Sequence, residues 1–303
     1  MKSNDIPVSH FLRTRGIPTS MLGPFFEHCA KDGVRHLSLT SEELELLPQD
    51  PERCKALQCA SRASGIRFLN AHAPYGEQWD LNCSDPIRRT VLPEEHKRRF
   101  ELCASFGLES ITMHIGTNDS GRPLFELRSR VRESLAELLP EAETFGLIIA
   151  VENTLFPTDT PEELLAFLAE FDRPSLGICF DSGHANLMDA SPGKQPGMMV
   201  EWIRRRWENS VHFQNDTLSR LLPHVVTCHL HDNHGFDDEH LLAGEGTIDW
   251  SRLLRRLRTD APRLRSFQNE ANMSTYGISP GEAVNRFKRL MSFVAEELVG
   301  SQR

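Results

Sequence analysis

Residues Val225–Trp250 read VVTCHLHDNHGFDDEHLLAGEGTIDW, and the rest of the chain can be read outward from this stretch. Its apolar and small opening residues suit a buried strand. A dense run of metal-capable side chains follows: His229, His231, Asp232, His234, Asp237, Asp238, Glu239 and His240. Gly244 and Gly246 then let the backbone turn tightly before a helical pattern at Thr247 to Trp250. Strand, polar loop and helix in that order form one βα unit, with its chemistry at the strand's C-terminal end.

The same unit recurs upstream and downstream. Short β-like runs are predicted at Ile6–Phe11, Val34–Leu39, Ile66–Ala71, Ser110–Met113, Leu147–Val151, Leu176–Phe180 and Arg263–Phe267. The run LIIAV is continuously apolar, as a parallel strand buried on both faces requires. Helical patterns lie between the strands. One starts at Ser41 as a cap for SEELELL, and one starts at Pro93 after a polar loop over residues 76–92 and stops at Gly107. Thr160-Pro161-Glu162-Glu163 starts another, with proline at its first helical position. Residues 189–224 form the longest crossover, with one or two helices, and Ser279-Pro280 opens a final amphipathic helix. Eight such alternations, with no linker or shift in composition, predict an α/β fold: one (β/α)8 TIM barrel domain over residues 1–303. A doubly wound sheet is the alternative, but it concentrates its ligands at one switch point.

Bulk properties narrow the function. A chain of 303 residues with 39% hydrophobic and 25% charged residues has the balance of a soluble globular protein. The net charge of −9 argues against nucleic acid as a partner. Two basic groups, Arg13 with Arg15 and Arg204 to Arg206, read as solvated faces. Seven cysteines without a CxxC pair point to a reducing, cytoplasmic setting. The N-terminal MKSNDIPVSHF lacks the apolar core of a signal peptide, and no run is long enough to span a membrane.

In a parallel barrel all strands aim their C-terminal ends at one face. His72, His114, Glu152, Asp181, His229 and Glu270 therefore converge, with His184, Asp238 and His240 in the loops above. Carboxylates and imidazoles without thiolates suit zinc, manganese, cobalt or iron in a working site, not a structural zinc. A single histidine at a strand end is ordinarily a hydrogen-bonded core or surface residue; the joint placement carries the argument. His10, His28, His36, His96, His212 and His224 fall on helices or strand bodies and read as structural. His231 and His234 are candidate loop or substrate contacts, and Trp79 and Phe156 are candidate pocket walls.

HAPY, VENT, FDSGHANL, HLHDN, DEHLLAGEG and Glu270 together resemble the xylose isomerase-like barrels, spread over residues 66–272. That superfamily holds sugar and sugar-phosphate isomerases and epimerases together with endonuclease IV. The resemblance to the epimerases implies one divalent metal (manganese, zinc, cobalt, magnesium or iron) on Glu152, Asp181, His229 and Glu270. On the mechanism expected for such a site, Glu152 and Glu270 are the acid/base pair, His184 contacts a small sugar-like substrate or serves as a further ligand, and His231 is a candidate substrate contact. Endonuclease IV binds three zinc ions, and His72, His114, His184, Asp238 and His240 match its further ligands. Two departures weaken a DNA-repair reading: HIGTNDSG replaces a Pro-Gly-Ser loop, and LFPTD replaces a small, glycine-rich run. The expected activity is isomerisation or epimerisation through an enediolate. An abasic-site phosphodiesterase and a dehydratase are the alternatives. No phosphate-gripping loop stands out, which favours an unphosphorylated substrate, and oligomeric state is left open, a homo-oligomer included.

Overall fold

The computed structural model describes residues 6–117, 121–208 and 210–300. Eight parallel strands close into a barrel in sequence order. They are β1 (Val8–His10), β2 (His36–Leu39), β3 (Arg67–His72), β4 (Ser110–Met113), β5 (Ile148–Glu152), β6 (Leu176–Asp181), β7 (Val225–Leu230) and β8 (Ser266–Asn269). Closure is made by β1 on β8, where Val8, Ser9 and His10 lie opposite Phe267, Gln268 and Asn269. Among the described residues, no helix is long and apolar enough to cross a membrane.

Alternation along the strands separates two environments. One face packs Leu37, Ile111, Ile149, Ile178, Leu230 and Phe267 against helix residues such as Phe26, Phe100, Leu135 and Leu254. The other face fills the barrel with small polar groups. The Ser9 hydroxyl meets that of Ser38 at 2.9 Å, and Ser38 donates to Asn70 Oδ1. The Asn70 amide donates to Ser266 Oγ at 3.0 Å and Thr227 Oγ1 at 3.3 Å. Such barrels commonly fill this layer with branched aliphatics. Here a fully buried hydroxyl–amide network, its polar atoms mutually satisfied, shares the interior with a small apolar cluster of Ile148, Ala150, Cys179 and Val226.

Local chemistry moved several predicted boundaries. The helix Ser41–Leu46 is capped by Thr40, whose side chain accepts from Glu43 N, and not by Ser41. The helix expected from Pro93 begins at Pro86 and carries Pro93 inside it. Asp85 caps its first turn by accepting from Ile87 N and Arg88 N, and Pro86 sits at the first helical position, where it has no amide to lose. Thr160 caps helix Pro161–Phe171 as the sequence predicts. The long crossover holds two short α-helices, Glu201–Arg206 and Thr217–Leu221. Ser279 and Glu282 exchange side-chain to backbone bonds at 3.2 and 2.8 Å, a capping box for helix Pro280–Gly300.

Candidate metal centre

The barrel delivers the predicted residues to one mouth. His72, Glu152 and Asp181 are the last residues of β3, β5 and β6, and His229 is the penultimate residue of β7. His114 and Glu270 follow β4 and β8 by one residue. Cross-strand pairing sets Asp181 opposite His229. Among the described residues five groups of donor atoms result, each mutually within 4.8 Å. Three are His72, His114 and Glu152; Glu152, Asp181, His229 and Glu270; and His184, His231, Asp238 and His240. The other two, His72, His229 and Glu270, and Glu152, Cys179 and His229, overlap them.

Glu152 lies at the centre. Its Oε2 is 3.5 Å from His72 Nε2 and 3.2 Å from His114 Nε2. Its Oε1 is 3.2 Å from His229 Nδ1 and 3.3 Å from His184 Nδ1. Burial acts to raise this carboxyl's pKa, but the facing His229 and His114 imidazoles overcome it and hold the group well below its ordinary value. Glu270 Oε2 stands 2.9 Å from the same nitrogen, His229 Nδ1. There too burial is outweighed, chiefly by His229, and the pKa is lowered. Burial opposes the charging of His229, yet Cys179, Glu270 and Glu152 raise its pKa well above the ordinary value.

The imidazoles are oriented from behind. His72 Nδ1–H donates to Ala73 O at 2.7 Å, His184 Nδ1–H to Asn153 O at 3.1 Å, and His240 Nδ1–H to Glu270 O at 3.1 Å. Each bond fixes one tautomer and turns the Nε2 lone pair toward the carboxylates, as metal-binding histidines require. Among the described residues, Glu152 Oε2 and His229 Nδ1 are fully buried and, although oppositely charged groups approach them closely, neither makes a contact of hydrogen-bond geometry. Buried polar atoms are ordinarily paired. Unpaired donor atoms facing one another among carboxylates fit a divalent cation.

The third group forms an outer rim. His184 Nε2 and His240 Nε2 approach Asp238 Oδ2 at 3.5 and 3.2 Å. Burial disfavours the charged His240, but Asp238 prevails and raises its pKa to about 9. His231 differs from its expected place. It has no exposed surface, donates from Nε2 to Asp181 Oδ2 at 3.1 Å, and stacks on His240 at 3.8 Å between ring centres. It therefore backs Asp181 and lies among the outer donors, not at a substrate surface. A Cβ at Gly183 would collide with its ring, so only glycine admits this packing. His234 stays exposed and pairs with Glu239 at 2.9 Å, apart from all three groups.

The supporting roles of several residues were not foreseen from the sequence, which offered Asp232 only as a metal-capable side chain. Asn153 exchanges two bonds with the Asp181 backbone, at 2.9 and 3.0 Å, and ties the ends of β5 and β6 together. Asp232 holds the glycine turn by accepting from Gly244 N at 2.9 Å, Ile248 N at 3.2 Å and Trp250 Nε1 at 2.6 Å. A Cβ on Gly246 would strike the Asn233 carbonyl, which explains the second glycine. Tyr75 of HAPY lies with its ring centre 4.8 Å from that of His114.

A cleft of about 520 Å³ opens on His72, His240 and Glu270, walled by Phe11, Arg13, Tyr75 and Trp79 among others. Trp79 thus lines it as expected. Phe156 lies instead on a minor pocket beside His184, under the Arg206 guanidinium. His10 and His96 are buried, and burial above all lowers the pKa of each to about 4, in keeping with structural roles.

The profile of the xylose isomerase-like TIM barrels matches residues 26–262. An uncharacterised protein of Methanocaldococcus jannaschii is 28% identical over 195 residues, covering 62% of this chain and 59% of its own. The chain spans about three fifths of the length of the curated relatives it matches. Among solved structures, a 3-keto-D-glucoside 4-epimerase from E. coli aligns with TM-score 0.67 and 16% identity over 94% of this chain and 100% of that one. A xylose isomerase-like TIM barrel protein from Mycobacterium smegmatis, in complex with magnesium, aligns with TM-score 0.67 and 15% identity, covering 98% and 99%. At these identities the structural likeness bears on the fold.

Proposed function

We propose, from the premise that the chain belongs to the xylose isomerase-like TIM barrel family, that it is a metal-dependent isomerase or epimerase of a sugar or related polyhydroxy carbonyl compound. The reading takes residues 1–303 as one barrel domain acting in the cytoplasm. Glu152, Asp181, His229 and Glu270 hold the principal divalent ion in this reading, and His72, His114, His184, Asp238 and His240 offer places for up to two more. His231 joins the outer set as a candidate ligand.

The observation that carries the proposal is the pair Glu152 and Glu270. They reach His229 Nδ1 from β5 and from beyond β8, at 3.2 and 2.9 Å, and Glu270 lines the cleft. A divalent ion bound there supplies Lewis-acid polarisation of a carbonyl and its neighbouring hydroxyl. Both carboxyls have lowered pKa values and start as bases. One takes the proton from the carbon beside the carbonyl, leaving an enediolate. The second carboxyl, after taking a proton from water, delivers it to the opposite face, giving the epimer, while the first releases its proton to water. Return of the proton from the first carboxyl to the adjacent carbon, with the neighbouring hydroxyl's proton passing to the former carbonyl oxygen, gives the isomer. His184, with Nδ1 anchored on Asn153 O, turns Nε2 toward the rim, where it can bond a substrate oxygen.

The test is solvent exchange. Protein loaded in turn with manganese, cobalt, magnesium and zinc is incubated in D2O with ketohexoses and keto-glycosides, and the carbon beside the carbonyl is followed by NMR. Deuterium uptake with a rearranged product is expected. Loss of water in its place identifies a dehydratase on the same barrel. The three linked donor groups also suit phosphodiester hydrolysis, although the net charge of −9 disfavours DNA. Cleavage of an abasic oligonucleotide with no exchange on any sugar would replace the isomerase reading.

A further inference from the structure

His72, His184 and His240 each anchor one ring nitrogen on a backbone carbonyl. His229 has no such anchor among its described hydrogen bonds. Its Nδ1 faces Glu152 and Glu270, and its Nε2 faces the Thr112 hydroxyl at 3.5 Å. The Cys179 thiol stands alongside, within 4.8 Å of a His229 nitrogen and a Glu152 oxygen. All three side chains are fully buried, so water does not replace either contact.

We infer that Thr112 and Cys179 are positioning residues that hold the Nε2 proton of His229 and so present its Nδ1 lone pair to the metal-binding carboxylates. The inference rests on the metal reading of this site. A neutral imidazole has one N–H and one lone pair, so a lone pair at Nδ1 requires a proton at Nε2. That proton needs an acceptor inside a closed barrel, because a buried unpaired N–H forfeits its hydrogen bond to water with nothing in return. Thr112 Oγ1 is the stronger acceptor, and the thiol is a weak one. The strand that delivers His114 to the mouth thus also supports His229 from one layer deeper.

Zinc affinity of the full chain, measured by competition with a chromophoric chelator, tests this without relying on turnover. Thr112→Val keeps the side chain's shape and removes the acceptor, so it is expected to weaken one zinc equivalent by about 10–100-fold. Thr112→Ser keeps the hydroxyl and gives up a methyl group, and is expected to stay within about threefold of wild type. A role in packing alone predicts the reverse ranking, because serine leaves the larger void. Cys179→Ala should weaken zinc less than Thr112→Val does. If Thr112→Val does not fold, 15N NMR of the zinc-loaded wild type decides: a His229 metallated at Nδ1 and protonated at Nε2 is expected, and the opposite assignment overturns the inference. A wild type that takes up no zinc removes the parent reading and this one with it. A wild type that binds zinc as tightly as Thr112→Val removes this one alone.

Discussion

The inner and outer donor groups are built by different means. Glu152, Asp181 and His229 sit on strands whose ladder bonds fix their height, and none is more than 1% exposed. Asp238 and His240 ride the loop after β7, with side chains 18% and 27% exposed. Their position depends on the Asp232 knot and on the Leu241–Asp232 backbone pair at 2.8 and 2.9 Å. A strand end is specified by pairing along its whole length, whereas a loop ligand is specified by a few local bonds. The inner group is therefore expected to be the rigid one, and the outer group the one that loses metal first.

Glu152→Gln strikes at the point where the inner donors meet and carries the largest expected effect. The amide keeps the shape and removes the charge that His72, His114, His184 and His229 all face. Turnover on an identified substrate is expected to fall by about 10²–10⁴-fold. Zinc content, read by mass spectrometry of the dialysed protein, should fall with it. A variant with wild-type rates would remove Glu152 from the acid/base pair.

Asp238→Asn separates the two groups. It takes away the carboxylate shared by His184 and His240 and leaves the inner four untouched. One metal equivalent should be lost while the inner ion stays, with a change in rate of about tenfold, well short of that of Glu152→Gln. Loss of every metal equivalent would show instead that the two groups bind as one unit through His184.

The same contrast explains what was legible in the sequence. Glu152 and Asp181 stand directly after apolar runs, and His229 is the polar residue near the end of another, so a parallel barrel brings them together. The loop residues carried the same chemistry without that constraint. His231 read as a substrate contact because its neighbours look like a polar loop. It lies two residues beyond His229, however, and the strand's two-residue period carries it to the same side, behind Asp181. Asn153 and the anchoring role of Asp232 were hidden for another reason: apart from Trp250 Nε1, the groups that bond them are backbone groups, which leave no mark in residue type.

Asp159 offers the finest version of the comparison. Like Glu152 it is a carboxylate with about 1% exposure, but among the described residues no imidazole lies within ion-pair distance of it. It accepts from Thr154, and its Oδ1 has no partner among the described residues. Burial raises its pKa to about 7, where Glu152, facing imidazoles, goes the other way. Between the model-peptide value of 3.8 and about 7, the folded chain holds a proton that the unfolded chain has released. Stability is therefore lost as pH rises through that window, by up to about 4 kcal/mol from this group. Asp159→Asn cannot ionise and escapes the loss. Its new amide N–H replaces the partnerless oxygen, which costs about 1–3 kcal/mol at every pH. For chelator-treated protein, the variant is expected to melt below wild type at pH 4, where most of the wild-type advantage is still present, and to match or exceed it at pH 8. A difference in melting temperature that stays constant from pH 4 to pH 8 would mean that the wall behind His114 keeps Asp159 in a single protonation state.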